Sequence, residues 1–181
     1  MQSLCSKGLL LNRGHLEHDG LVRDAIQRYI SRIEGGSGVS FEAKPDRPTI
    51  TLVRVDTEEL KKGNLSVKVG FKSPFPLQPP VPGIIVSSAL GTPVFGTNPR
   101  FHAEKYEKKA LQEGIIRMQA PQVPLTSGQY HLSVYLGDWH THYDQRLDIC
   151  AFEFEEPERP SNRPPSELIG HLNWKCFWSV S

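Results

Sequence analysis

The densest run of side chains able to do chemistry is Tyr135-Leu136-Gly137-Asp138-Trp139-His140-Thr141-His142-Tyr143-Asp144. In an extended chain His140, His142 and Asp144 share one face, because strand side chains alternate. Two imidazoles and a carboxylate form the donor set of a non-haem metal site. A jelly-roll metal site, however, has its glycine further upstream of the histidine pair, and Gly137 stands too close. A solvated turn that carries histidines is the plainer reading, and no metal is expected. Asp138 and Asp144 also make a carboxylate pair of the kind that cleaves glycosidic bonds. Sugar hydrolases usually draw the two from different strands, and these share one loop. No serine occupies a Gly-x-Ser-x-Gly elbow and no phosphate-cradling P-loop is present. Cys150 falls in the middle of an apolar run, where a thiol is core rather than nucleophile. Neither a catalytic residue nor a cofactor is expected.

What remains is recognition. Tyr130, Tyr135, Trp139, Tyr143, Trp174, Phe177 and Trp178 crowd the last third of the chain. Exposed rings stack on the C–H faces of sugars, and adjacent carboxylates, amides, imidazoles or guanidinium groups bond the hydroxyls. Rings that alternate inward along a strand belong to a core instead, and Trp174 and Trp178 suit core or dimer packing. Trp139, between Asp138 and His140, is the ring best placed in a turn. The expected carbohydrate-binding set is Tyr135, Asp138, Trp139, His140, His142, Tyr143, Asp144 and Arg146. Should this loop not bind, the sheet face bearing Lys68 and Lys72 is the next place to look.

The elements that must position these residues are mostly strands. Thr49–Asp56 is β-branched, and Leu65, Val67, Val69 and Phe71 alternate cleanly. Further strands are expected at 83–87, 93–96, 115–119, 129–136 and 147–154, and Leu168–Val180 can close the chain with a last one. The prolines at 74, 76, 79, 80 and 82 argue against a central strand over 74–82. Residues 101–112 fit either a short helix or an irregular connection. A charged, proline-rich spacer covers 155–165. Seven or eight short strands without long intervening helices predict an all-β fold, an immunoglobulin-like antiparallel sandwich with jelly-roll character.

Residues 1–34 have another texture. Gly8–Asn12 and His15–Glu17 read as a hairpin around Arg13-Gly14. Val22, Ala25, Ile26, Tyr29, Ile30 and Ile33 recur at helical spacing over about 21–33, with Asp19-Gly20 in the capping position. Glu34-Gly35-Gly36-Ser37-Gly38 ends the helix. Three divisions are expected: 1–34, a linker over 35–47, and the sandwich over 48–181.

Composition narrows the class of partner. The 181 residues hold 21 Lys and Arg against 20 Asp and Glu, a net charge of +1. That balance disfavours nucleic acid, which demands a basic surface. No run reaches the roughly 18 apolar residues of a membrane span. No apolar segment ending at a small-residue cleavage site opens the chain, so secretion is not signalled. Cys5, Cys150 and Cys176 are odd in number and lack CxxC spacing, which suits a reducing, cytoplasmic compartment.

A resemblance extends this reading. Leu4–Gly20 and the helix through Tyr29 resemble the tail of an ABC transporter ATPase domain. Lys62–Val67, Pro82–Val86, Gly91–Asn98, Leu125–Val134 and Gly170–Trp178 follow in an order similar to the C-terminal carbohydrate-binding domain of Wzt-type ATPase subunits. The resemblance implies a domain that recognises the non-reducing end of a lipid-linked, O-antigen-like polysaccharide and gates its export. It further implies a homodimer that exchanges its C-terminal strand, with 155–165 as the arm. A membrane permease would be contacted through the missing ATPase domain, at the cytoplasmic side of a bacterial inner membrane. Walker A, Walker B and the ABC signature are absent, so ATP chemistry is not carried over. A metal-dependent jelly-roll enzyme built on His140, His142 and Asp144, and a purely structural dimerisation domain, are the alternatives.

Overall fold

The structure, a computed structural model, describes residues 5–12, 14–31, 38–101 and 106–180. Arg13 of the expected turn, Ile33, the Gly35–Ser37 linker and residues 102–105 lie outside the described residues, as do the side chains of Tyr29 and Ile30. The chain divides into two compact units between Glu34 and Gly35.

The first unit is a hairpin, β1 (Lys7–Asn12) and β2 (His15–Leu21), followed by helix α1 (Val22–Ser31). Leu10 and Ala25 are its buried apolar side chains among those described. Gly8 lets helix and strand meet, since a Cβ there would stand 2.7 Å from that of Ala25. Asp19 and Gly20 do not cap the helix. Both lie in β2, which runs directly into α1, and Val22 N donates to Ser6 O at 3.1 Å.

The second unit is an antiparallel sandwich. Its strands are β3 (Gly38–Ser40), β4 (Thr49–Val55), β5 (Leu65–Leu77), β6 (Val81–Ser88), β7 (Pro93–Thr97), β8 (Leu111–Ala120), β9 (Gly128–Gly137) and β10 (His142–Phe154). Two short helices, α2 (Thr57–Lys61) and α3 (Ser166–Ile169), accompany them. One sheet has the order β3-β4-β5-β8, the other β10-β9-β6-β7. The all-β expectation holds. Leu65, Val67, Val69 and Phe71 of β5 face Tyr130, Leu132, Val134 and Leu136 of β9 across a core in which each is at most 2 % exposed. Tyr130 stacks on Phe152 at 5.7 Å and its hydroxyl donates to Thr126 O at 2.7 Å. This hydroxyl-to-upstream-backbone bond is the tyrosine corner of immunoglobulin-like sandwiches.

Several elements differ from expectation. Strand β5 is central and contains Pro74 and Pro76. The ladder with β8 is interrupted between Lys72 and Leu77, and the pairing with β4 ends at Lys72. The prolines therefore occupy a bulge where no ladder N–H is required. Pro82 lies in β6 beyond the reach of β7, whose pairing starts at Ile84. Residues 38–40, within the expected linker, form β3. Helix α2 is not among the expected elements, although its signals are local: Asp56 accepts Glu59 N at 3.3 Å, Glu58 and Glu59 fill the first turn, and Leu60 is buried. Strand β10 starts at His142, earlier than expected.

Among the described residues the expected last strand does not form. Arg163 and Asn173 both bond Glu156, Asn173 N donates to Pro124 O, and Thr126 N donates to His171 O. The chain is thereby tied back onto its own sandwich as far as Asn173. Trp174, Phe177, Trp178 and Val180 beyond it are all exposed. Within one copy, residues 155–165 are held at Glu156 and Arg163.

Candidate functional site

The β9–β10 connection is short because glycine opens it. A Cβ on Gly137 would stand 2.4 Å from Thr141 O. Asp138 then builds the turn. Its carboxylate accepts His140 N at 2.8 Å, Thr141 N at 2.7 Å and the Tyr143 hydroxyl at 2.8 Å. Burial works upward on this carboxyl, but the three donors together hold it below the ordinary value. Asp138 is a turn-former, with three of its acceptor positions occupied within its own loop.

Three more expected residues point into the scaffold. Asp144 accepts Ile50 N at 2.9 Å and pairs with Arg146 at 3.3 Å, so one carboxylate links β10 to the opposite sheet. The Arg146 guanidinium lies over the Phe41 ring at 4.5 Å. Tyr143 meets Phe75 edge-on, with centroids 5.6 Å apart. Trp139 and His140 border a small hollow with Gln78, Pro79, Lys108 and Ala110, and Lys108 Nζ stands 5.7 Å from the Trp139 ring.

Only Tyr135 and His142 remain together on the outer face of the β10-β9-β6-β7 sheet. Their rings are 5.4 Å apart and tilted by 40°. Beside them runs an open groove of about 660 Å³. Its shape follows from the pleat. Ile84 and Val86 of β6 and Val134 and Leu136 of β9 point inward, so Gly83, Ile85, Tyr135 and Gly137 point outward. Gly96 of β7 sits opposite Ile85. Glycine at 83, 96 and 137 leaves a floor of backbone between a wall of Tyr135, His142 and Gln145 and a wall of Asn98, Arg100 and Phe101. Gln145 Nε2 approaches the Tyr135 hydroxyl at 3.5 Å. Arg100 donates to Asp138 O at 2.5 Å, fastening one wall to the turn. Such a site offers aromatic faces, amides, an imidazole and a guanidinium around an uncharged floor.

Gly83, Gly96, Asn98, Arg100, Phe101 and Gln145 escaped sequence reasoning. A signal existed: alternation in 81–87 and 129–136 fixes which residues face outward, and glycines at outward positions of neighbouring strands mark a depression. His140, His142 and Asp144 do not converge. One borders the hollow, one the groove, and the third is engaged by Ile50 N and Arg146. Among the described residues no three His, Cys, Asp or Glu side chains stand together as metal ligands. Burial pushes the Cys150 thiol up to about 11, which leaves little thiolate at neutral pH. Among the described residues no helix is long and apolar enough to cross a membrane.

The family model of the Wzt C-terminal domain matches residues 30–164. No curated protein matches the chain in sequence. A crystal structure of the C-terminal domain of wzt superposes with a TM-score of 0.51 at 18 % identity, covering 65 % of this chain and 70 % of that one. At that identity the likeness speaks to the fold, and the fold agrees.

Proposed function

The chain belongs to the Wzt C-terminal domain family, and from that membership we propose that it recognises the end of a polysaccharide destined for export, in the groove beside Tyr135. The family brings the context of polysaccharide export and a domain that is itself non-catalytic. In this reading Tyr135 and Phe101 offer stacking faces. His142, Gln145, Asn98 and Arg100 bond hydroxyls, and the glycine floor lets a flat sugar ring lie close to the sheet. The first unit is then the tail of an ABC ATPase domain, which would meet the permease at the cytoplasmic face of the inner membrane. Recognition in this reading needs neither metal nor cofactor.

The observation that carries the proposal is the backbone-floored groove walled by Tyr135 and His142. Titrating the cognate polysaccharide, freed of lipid, into the chain by calorimetry tests it. Tyr135→Ala is expected to weaken binding by about 1–3 kcal/mol, the stacking scale of other ring ligands. Trp139→Ala, in the separate hollow, is the comparison variant and leaves affinity unchanged. Loss of affinity with Trp139→Ala alone would move the site to that hollow. Unchanged affinity in both folded variants would remove this end of the sheet altogether.

A further inference from the structure

The groove beside Tyr135 runs along the strands, and its walls are joined at one end. Strand β6 begins at Val81, opposite Gly137, the last residue of β9, so the floor stops there. The connection that follows β7 passes along the same end of the sheet. A Cβ on Gly83 would stand 3.9 Å from that of Asn98. Two residues further on, Arg100 reaches across, and its Nη2 donates to Asp138 O at 2.5 Å. A side chain of one wall thus meets the backbone of the turn that carries the other, next to Gly137.

Neighbouring groups aim Arg100 at this bond. Asn98 Oδ1 accepts Arg100 N at 2.8 Å and Asn98 O accepts Phe101 N at 3.1 Å, which turns the chain at Pro99. A guanidinium has more N–H donors than the one that Asp138 O takes. Arg100 also lines the groove, so the others serve oxygen acceptors that arrive along it. Past the ends of β6 and β9 lies the separate hollow of Gln78, Pro79, Trp139 and His140. Asp138, the anchor of the bond, stands in the chain between Gly137 of the groove and Trp139 of the hollow.

We propose, resting on the carbohydrate reading of this groove, that Arg100 is the specificity residue that makes it select a chain end. Held on Asp138 O, the guanidinium is a stop against which the last sugar abuts. An internal stretch of the same polymer must continue past that point, and the strap blocks it. Without the strap the groove opens toward the hollow and a polymer can pass through. Loss of Arg100 therefore changes how many sites a polymer offers, not only how tightly each is held.

The test is calorimetry with the exported polysaccharide, freed of lipid and separated into a short and a long fraction of the same repeat. With wild type, the number of chains bound per polymer should be equal for the two fractions, because only an end fits. With Arg100→Ala it should rise in proportion to polymer length, because internal repeats become sites. Arg100→Lys keeps a cationic donor on a long stem, enough for one bond to a carbonyl, and should behave as wild type. Arg100 is exposed, so both variants should melt as wild type does. A wild-type number that grows with length would overturn the stop, and so would a length-independent number in Arg100→Ala. In either case Tyr135→Ala still reports on the groove itself. Absence of binding to wild type would overturn the carbohydrate reading and the stop together.

Discussion

At the scale of single residues, neighbouring side chains in one short run do unrelated work. Between Tyr135 and Arg146, alternate positions look outward to the groove or inward to the scaffold, and the turn between them faces a third way. Asp144 illustrates the scaffold role. Its side chain is 13 % exposed and accepts the backbone N–H of the fully buried Ile50. Asp144→Ala should lower the unfolding free energy by about 2 kcal/mol, since a buried donor is left without a partner. Urea denaturation measures this. A binding role alone would leave the midpoint where it is. The residue types of this site were legible in the sequence, but their directions were not. His140, His142 and Asp144 share a face only in an unbroken strand. Asp138 breaks that strand by accepting two backbone N–H groups of its own turn, a competition that spacing does not reveal.

At the scale of elements, alternation located the strands well and their ends poorly. The cores of β4, β5, β6, β7 and β9 were readable because β-branched and aromatic residues recur with a period of two. The extension of β5 through Pro74 and Pro76 was not. Whether a proline is tolerated depends on whether its N–H would have met a partner, and that is decided by the neighbouring strands. The C-terminal segment teaches the reverse lesson. Its aromatic residues read as a strand, yet among the described residues no strand pairs with them. Glu156, with its side chain 5 % exposed, instead gathers Arg163, Asn173 and the Ser127 backbone into a clasp. Truncation after Asn173 should therefore leave a soluble, folded sandwich, whereas truncation after Phe154 removes the clasp and should destabilise or precipitate it. If an exchanged C-terminal strand is the main dimer contact, as the family resemblance implies, truncation after Asn173 also abolishes the dimer. Light scattering and melting curves on the two truncations separate these outcomes.

At the scale of the whole molecule, buried titratable groups bound the pH range in which the fold is most stable. Burial lowers the His131 pKa from its ordinary 6.5, against a smaller upward pull from Asp148. As pH falls below 6.5 the unfolded chain takes a proton that the native imidazole resists. Stability present above 6.5 is then lost as pH falls through the lowered native value. Cys150, which burial pushes from 9.0 up to about 11, and Tyr106 set the alkaline side. The Tyr106 hydroxyl donates to Pro80 O at 2.5 Å, and burial pushes it from 10.0 up to about 12. In each case the unfolded group ionises before the native one, so stability falls as pH rises from 9 through 12. Urea midpoints should trace a plateau between these limits, and His131→Gln should flatten the acid slope below pH 6.5. An acid slope unchanged in that variant would clear His131 of the effect.

The glycine floor of the groove has a consequence for descent. A Cβ added at Gly83 would meet Tyr135 at 3.5 Å, and one at Gly96 would meet Ile85 at 3.4 Å, both ordinary contacts. The same addition at Gly137 collides with Thr141 O. Two floor positions are therefore free to acquire side chains while the third is held by the turn. Lineages carrying this fold can recut the relief of the outer surface at 83 and 96, while Ile84, Val86 and Val134, on the other side of the same strands, stay as they are. Drift in what is recognised and inheritance of how the chain folds are thereby separated along a single strand, one residue from the next.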